Sequence, residues 1–144
     1  MKVYLAGPFF NEQQIETIER LETWLCVKHV DFYSPRMEGT LIHISPENRQ
    51  AAAKLIYEKN ILRLAWCTHV IAVIDDRDPG THIEIGYALA SNKRIITYSG
   101  QGHGLNVMLQ GAVAGHARNL IELGEHLFND NKHRPAATFS RDVE

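Results

Sequence analysis

The segment "THVIAVID", residues 68–75, constrains the fold of this chain more than any other feature. It is a continuous apolar run that ends in an acid, and its apolar and polar positions do not alternate. A strand that is apolar on both sides is typical of the centre of a parallel sheet whose two faces are covered. The segment therefore predicts an α/β protein in which helices cover both faces of an open parallel sheet.

The rest of the chain alternates between short strand-like segments and amphipathic segments. Strands are predicted at 2–6, 31–34 and 94–99, with a loop at 36–44 and a glycine-rich loop at 100–106. Helices are predicted after an Asn11 cap with Gln14 as its capping-box partner, from a Ser45–Pro46 start to about Leu64, from Thr81 to about Ser91, around 108–111 and over 119–128. All 144 residues fit one domain, with an irregular tail expected at about 130–144.

Composition argues against several classes of function. The net charge of −2 and the lack of a basic stripe give no basis for binding nucleic acid. No leading signal peptide or apolar run of membrane-spanning length is evident, so we expect no membrane association. The two cysteines are isolated, each inside a predicted element, and are expected to be buried free thiols in the cytoplasm. The eight histidines lack HxH and HExxH spacing, so no metal site is expected.

The segment "DRDPGTHIEIG", residues 76–86, carries the candidate chemistry. In open parallel sheets, ligands bind beyond the carboxyl ends of the strands, where this segment and the loops 7–11 and 100–106 are expected. Thr81-x-x-Glu84 fits a capping box, which gives Glu84 a structural role. Alternatively, Glu84 is a carboxylate that the helix start keeps ionised as a nucleophile, and Asp78 is its protonated partner. The local pattern leaves both readings open.

Asp78-x-Gly80-Thr81-x-x-Glu84, continued by "IGYALA", resembles the signature of the nucleoside 2-deoxyribosyltransferase family. Four further segments are similar to the family's in the same order: "VYLAGPFF" (3–10), "YSPR" (33–36), "YEKNI" (57–61) and "LNVM" (105–108). The resemblance runs from residue 2 to about residue 110. It implies a flavodoxin-like fold and transfer of a 2-deoxyribosyl group between nucleobases with retention, without a cofactor.

The resemblance also implies three catalytic residues. Glu84 matches the nucleophile that forms a covalent deoxyribosyl intermediate, and retention is what two successive inversions at one carboxylate would give. Asp78 matches the aspartate that meets the nucleobase, where it would supply and recover the proton of the departing base. Tyr4 matches the tyrosine whose hydroxyl holds the nucleophile.

The substrate-binding residues implied by the resemblance are Phe9, Phe10, Asn60, Gly80, Asn106 and Met108. Phe9 and Phe10 lie on the first loop, where an aromatic side chain stacks on the base. Asn106 and Met108 match residues that a neighbouring subunit contributes, which implies a homo-oligomer, a dimer or a hexamer; a helix cap is the other reading of Asn106. Asn60 stands where several family members have an aspartate, so proton relay through this position is in doubt.

Two other functions remain open at this point. Relatives of the family hydrolyse nucleoside 5'-monophosphates, so the chain could be an N-glycosidase, although no Ser-rich phosphate loop is evident and loop 100–106 lacks phosphate-loop spacing. A non-catalytic nucleotide-binding module is less favoured, because the first loop, "AGPFFN", has no acid. The expected partners are deoxyribonucleosides and free nucleobases.

Overall fold

The computed structural model describes residues 1–129, and the tail expected at 130–144 lies outside the described residues. Within that range five strands form one sheet: β1 (Lys2–Ala6), β2 (Asp31–Tyr33), β3 (His69–Val73), β4 (Arg94–Tyr98) and β5 (Gly115–Ala117). They pair in parallel in the order β2-β1-β3-β4-β5. This is the doubly wound order of flavodoxin-like proteins, so the predicted fold class is confirmed.

The helices of the described region are α1 (Glu12–Val27), α2 (Arg49–Trp66), α3 (Pro79–Ala90), α4 (Val107–Ala112) and α5 (Leu120–Phe128). Two 3-10 turns, Pro35–Glu38 and Leu41–His43, occupy the segment predicted as a loop. Strand β5 was not predicted, because three residues with the sequence Gly-His-Ala carry no apolar run. Its pairing with β4 and its contact with α5 define it.

Strand β3 is buried on both faces, as its apolar run predicts. Val70 and Ala72 belong to one buried cluster, which includes residues of α2 and α3. Ile71 and Val73 belong to the other cluster, which includes residues of α1 and α5. Burial of each of the valine and isoleucine side chains of β3 stabilises the fold by roughly 1.5–3 kcal/mol. Strand β3 therefore lies at the centre of the core.

The starts of two helices differ from the predictions. The Ser45–Pro46 start is wrong, because residues 45–48 form a separate turn in which the Asn48 amide donates to the Ser45 carbonyl at 3.0 Å. Helix α2 therefore begins later, at Arg49. The predicted Thr81 start of α3 is also wrong, because this helix begins at Pro79 with Asp78 as its cap.

The first loop is held close to the sheet and helix α1. Asn11 caps α1 as predicted, and its side chain accepts from the Gln14 amide at 2.9 Å. A Cβ atom on Gly7 would lie 2.7 Å from Ile18 Cδ1 and 3.0 Å from Val73 Cβ. Only glycine permits this close passage, which sets the direction in which the chain leaves β1.

Candidate active site

A cavity of about 320 Å³ lies at the carboxyl ends of β1 and β3, where the strand order reverses. Its walls come from the first loop, the segment 35–41, helix α2 and the start of α3. Six of the predicted site residues line it: Phe9, Phe10, Asn60, Asp78, Gly80 and Glu84. Tyr4, which lies beneath, reaches the site through a hydrogen bond to Glu84.

Tyr4 and Glu84 are joined although they are 80 residues apart in the chain. The Tyr4 side chain is fully buried on β1, and its hydroxyl donates to Glu84 Oε1 at 2.7 Å. Burial, and next the negative charge of Glu84, raise the pKa of Tyr4 far above its usual value. Tyr4 therefore remains a donor at every physiological pH.

The pKa of the Glu84 carboxyl is raised to about 7. Burial is the largest cause; the bond from Tyr4 lowers the pKa, and the charge of Asp78 raises it. The expectation that the helix start keeps Glu84 ionised is wrong, because Glu84 lies in the second turn of α3, beyond the free amides of the first four residues. Glu84 therefore changes charge close to neutral pH.

Asp78 performs the capping that the sequence pattern assigned to Thr81. Its Oδ2 atom accepts from the Thr81 amide at 2.7 Å and from the Thr81 hydroxyl at 2.8 Å. The capping box between Thr81 and Glu84 is therefore wrong, and Glu84 binds Tyr4 instead. A Cβ atom on Gly80 would lie 3.1 Å from Asp78 Oδ2, so glycine leaves room for this carboxylate.

The cavity is also lined by the amide of Asn60, which lies on α2. Its Oδ1 atom accepts from the Tyr33 hydroxyl at 3.2 Å. The ring centroids of Tyr33 and Tyr4 lie 5.6 Å apart, and their hydroxyls donate to Asn60 and Glu84, respectively. With Oδ1 bound in this way, the NH₂ group of Asn60 is the part that can donate to a ligand.

Phe9 and Phe10 form an aromatic wall. Their rings stack with centroids 5.7 Å apart and an interplanar angle of 15°. Phe10 is 75% exposed even though it lines the cavity. An exposed aromatic ring beside a cavity can stack on a planar ligand.

Asn106 and Met108 are not brought to Glu84 within one chain. Asn106 caps α4 and accepts from the Leu109 amide at 2.9 Å, as the helix-cap reading expects. It lines a different cavity, of about 490 Å³, together with Asp75, Arg77, His82 of α3 and His103 of the glycine-rich loop. Met108 is 76% exposed.

The amides of the glycine-rich loop bind a carboxylate of the protein itself. Asp75 accepts from the Gly100 amide at 3.1 Å, from the Gln101 amide at 3.4 Å and from the Ser99 hydroxyl at 2.5 Å. Loop 100–106 is therefore anchored to the end of β3 by its own amides. Residues 1–129 contain no cluster of three or more His, Cys, Asp or Glu side chains that could hold a metal ion. Within the same residues, no helix is both long and apolar enough to cross a membrane.

Several residues of the site were not found from the sequence. Thr81 and Tyr33 bind two polar groups of the cavity, the Asp78 carboxylate and the Asn60 amide. Ile56 lines the cavity one helical turn before Asn60, a spacing that could have indicated it. Pro35 belongs to the family-like segment "YSPR", whereas Thr40 and Leu41 carry no local signal, because only the fold brings them to the cavity.

Comparisons with known proteins bear on the family and the fold of the chain. The sequence model of the nucleoside 2-deoxyribosyltransferase family matches residues 3–133. No curated protein matches the chain. A 2-deoxyribosyltransferase from the psychrotolerant bacterium Bacillus psychrosaccharolyticus is 26% identical, with a TM-score of 0.70 over 81% of this chain and 85% of that enzyme.

Two other solved structures share the fold at lower identity. The CMP N-glycosidase BcmB of Clostridium botulinum is 21% identical, with a TM-score of 0.60 over 89% of this chain and 99% of that one. A conserved protein of Enterococcus faecalis V583 is 23% identical, with a TM-score of 0.51 over 68% of this chain and 62% of that one.

The family match and the Bacillus enzyme indicate an enzyme that transfers or hydrolyses glycosyl groups on nucleosides. The matched range includes every residue of the cavity described above. On these grounds, the chain belongs to the nucleoside 2-deoxyribosyltransferase family.

Proposed function

We propose that this chain exchanges nucleobases on 2'-deoxyribonucleosides by a retaining double displacement through a covalent deoxyribosyl–Glu84 intermediate. The observation that carries the proposal is the 2.7 Å hydrogen bond from buried Tyr4 to Glu84, a carboxylate in a cavity that is also lined by Phe9 and Phe10. A bond of this kind fixes a nucleophile before the substrate arrives.

In the first step, ionised Glu84 attacks C1' of the donor nucleoside. Because Tyr4 binds Oε1, we assign the attack to Oε2. The C1'–oxygen bond forms as the C1'–nitrogen bond breaks, and the electron pair of that bond leaves with the base. Asp78, which takes up a proton while Glu84 is ionised, passes that proton to the departing base and makes it a neutral leaving group.

In the second step, an acceptor base attacks C1' from the side that the first base has left. The ester bond breaks, its electron pair returns to Glu84, and Asp78 recovers the proton of the attacking nitrogen. Each step inverts C1', so the product retains the original configuration.

The walls of the cavity favour an uncharged nucleoside. Phe9 and Phe10 present the aromatic surface on which a base stacks, and the Asn60 amide can donate to an acceptor atom of the base. Among residues 1–129, none of those that line this cavity is Lys or Arg, whereas two are acids. A 5'-phosphate would meet carboxylates without a compensating cation, which disfavours a monophosphate as substrate.

The proposal includes a homo-oligomer in which a neighbour's Asn106 and Met108 complete the sugar site. Large apolar side chains stand exposed on α3 and α4: Ile83 is 66% exposed, Val107 51% and Met108 76%. Contiguous patches of exposed apolar side chains mark protein interfaces, so these three side chains are candidates for the contact between subunits. A cytoplasmic location is part of the proposal and is supported by the free thiols of Cys26 and Cys67. Cys67 is buried as predicted, whereas the prediction for Cys26 is wrong, because its side chain lies on the exposed side of α1.

The testing experiment is a base-exchange assay with thymidine or deoxyinosine as donor, a panel of acceptor bases, and a reaction without acceptor. We expect a new deoxynucleoside only when donor and acceptor are both present. Release of base at the same rate with and without acceptor, and without exchange, would instead support an N-glycosidase. Faster turnover of deoxyadenosine monophosphate than of deoxyadenosine would do the same for the monophosphate-specific enzyme. Binding without turnover would support a non-catalytic module.

A further inference from the structure

The side chain of Gln14 connects two walls of the cavity. Its Oε1 atom accepts from the Phe10 amide at 2.7 Å, so it holds the aromatic wall. Its Nε2 atom donates to Asp76 Oδ2 at 2.7 Å, so it also holds the loop that carries Asp78. The two anchored segments are separated by more than 60 residues in the chain.

Helix capping does not account for this arrangement. Asn11 caps α1 through the backbone amide of Gln14, which any residue at position 14 would supply. The predicted capping box is wrong in one respect, because the side-chain oxygen of Gln14 accepts from the backbone amide of Phe10 and not from that of Asn11. Both ends of the Gln14 amide are thus engaged with loops that line the cavity.

The loop after β3 needs such support. Arg77 has a φ of +50°, a left-handed conformation that non-glycine residues adopt at a cost. Such conformations persist where the surroundings hold them. Gln14 binds Asp76, the residue just before Arg77, and Asp78 follows just after it.

We propose that Gln14 is a positioning residue for base binding, which sets the distance between the Phe9–Phe10 wall and the Asp78 loop. The inference rests on the proposed function, since the group held between these walls is the nucleobase. Gln14 itself does not line the cavity. It acts through Phe10 on one side and through Asp76 on the other.

The bridge formed by the Gln14 side chain between Phe10 and Asp76 can be tested by exchanging the donor and the acceptor of its bond to Asp76. In Gln14→Glu, the side chain can still accept from Phe10 but places a carboxylate against that of Asp76. We expect the KM for the acceptor base to rise roughly tenfold, with a smaller fall in kcat. In Gln14→Glu with Asp76→Asn, the new amide at 76 can donate to Glu at 14. This double variant should recover most of the loss.

Two single variants complete the comparison. Asp76→Asn alone keeps an acceptor oxygen for Gln14 and should lose much less than Gln14→Glu. Gln13→Glu is the matched control, because it makes the same change at the exposed neighbouring position and should behave like wild type. A purely structural role of Gln14 would lower the folded fraction, and hence kcat, at unchanged KM. That pattern, or a double variant no better than Gln14→Glu, would overturn the proposal.

Amide hydrogen exchange tests the Gln14 bridge by a measurement that does not depend on enzymatic activity. In Gln14→Ala, exchange should become faster in residues 7–11 and 76–81, while the second half of α1 keeps its protection. Unchanged exchange in both loops would overturn the bridge itself. If wild type exchanges no bases but these loops respond, the proposed function fails and the bridge stands.

Discussion

At the scale of single residues, the site is governed by opposing effects on one carboxyl group. Burial and the charge of Asp78 favour the neutral form of Glu84, whereas the Tyr4 hydroxyl favours the anion. The resulting pKa of about 7 lets Glu84 exist as a nucleophile at neutral pH while remaining buried. A carboxylate with little hydration is also more reactive than one in water.

The first prediction concerns the pH dependence of catalysis. Because Glu84 must be ionised to attack, kcat/KM of the wild type should rise with pH along a limb centred near pH 7. Tyr4→Phe removes the bond that lowers the pKa of Glu84, so the rising limb should move to higher pH. Profiles of kcat/KM for both enzymes provide the measurement. An unshifted limb in Tyr4→Phe would contradict this role of Tyr4.

The second prediction concerns stability. The pKa of Glu84 is higher in the folded than in the unfolded chain, so its contribution is complete below about pH 4.5 and is lost as pH rises through about 7. Glu84→Gln stays neutral. Its free energy of unfolding should equal that of wild type near pH 4 and exceed it by roughly 2–3 kcal/mol at pH 8. Urea unfolding at the two pH values measures this, and a difference independent of pH would contradict it.

At the scale of secondary-structure elements, the start of α3 unites structure and catalysis. Asp78 ends the loop, caps the helix through Thr81 and faces the cavity, so one carboxylate has two roles. The two roles can be separated, because an amide can replace a carboxylate as a cap but cannot supply a proton.

The third prediction follows from that separation. Asp78→Asn should keep the cap and unfold within about 0.5 kcal/mol of wild type, whereas Asp78→Ala should lose about 1 kcal/mol. Both variants should lose about 10²-fold or more in kcat, because proton transfer to the base is gone. Thermal unfolding together with initial rates separates the two effects. Asp78→Asn with near-normal kcat would contradict proton transfer by Asp78.

The secondary-structure elements also show how much of the fold could be predicted from the sequence. The apolar run of β3 predicts its central place, since both faces had to be covered. Ser45–Pro46 was predicted to begin a helix but begins a turn, whereas Asp78–Pro79 begins a helix that was predicted to start at Thr81. Local chemistry permits either outcome, and contacts distant in the chain decide between them. Strand β5 escaped prediction for the same reason.

The site was predictable mainly through the order of its motifs. No local pattern joins Tyr4 to Glu84 across 80 residues; the family resemblance proposed that pair, and the fold brings its members together. The same resemblance could not indicate the raised pKa of Glu84, which depends on burial. The bond between Thr81 and Asp78 was not predicted, because the sequence fitted a capping box between Thr81 and Glu84 equally well.

At the scale of the whole molecule, one chain holds the carboxylates in one cavity and Asn106 in another. An enzyme that uses both needs a second copy, with the site shared between subunits. Asn106 also caps α4, so a variant must preserve the cap if it is to test the sharing.

The fourth prediction is that two impaired variants complement each other. Glu84→Gln lacks the nucleophile, and Asn106→Asp keeps a capping oxygen but loses the amide donor. When the two proteins are mixed and allowed to exchange subunits, roughly a quarter of the sites should combine the intact residues of both chains. Activity should therefore appear in the mixture above that of either variant alone. A mixture no more active than its components would place both residues in one chain's site or outside it.

The central claim is that Glu84 becomes covalently bonded to the sugar, and intact-protein mass spectrometry tests it most directly. The protein is incubated with a deoxynucleoside, without acceptor base, quenched in acid, and digested to locate any adduct. We predict a mass gain of one 2-deoxyribosyl group on the peptide that contains Glu84, absent in Glu84→Gln and removed by adding an acceptor base. Base exchange at full rate with no adduct on Glu84, or with an adduct on another residue, would contradict the account.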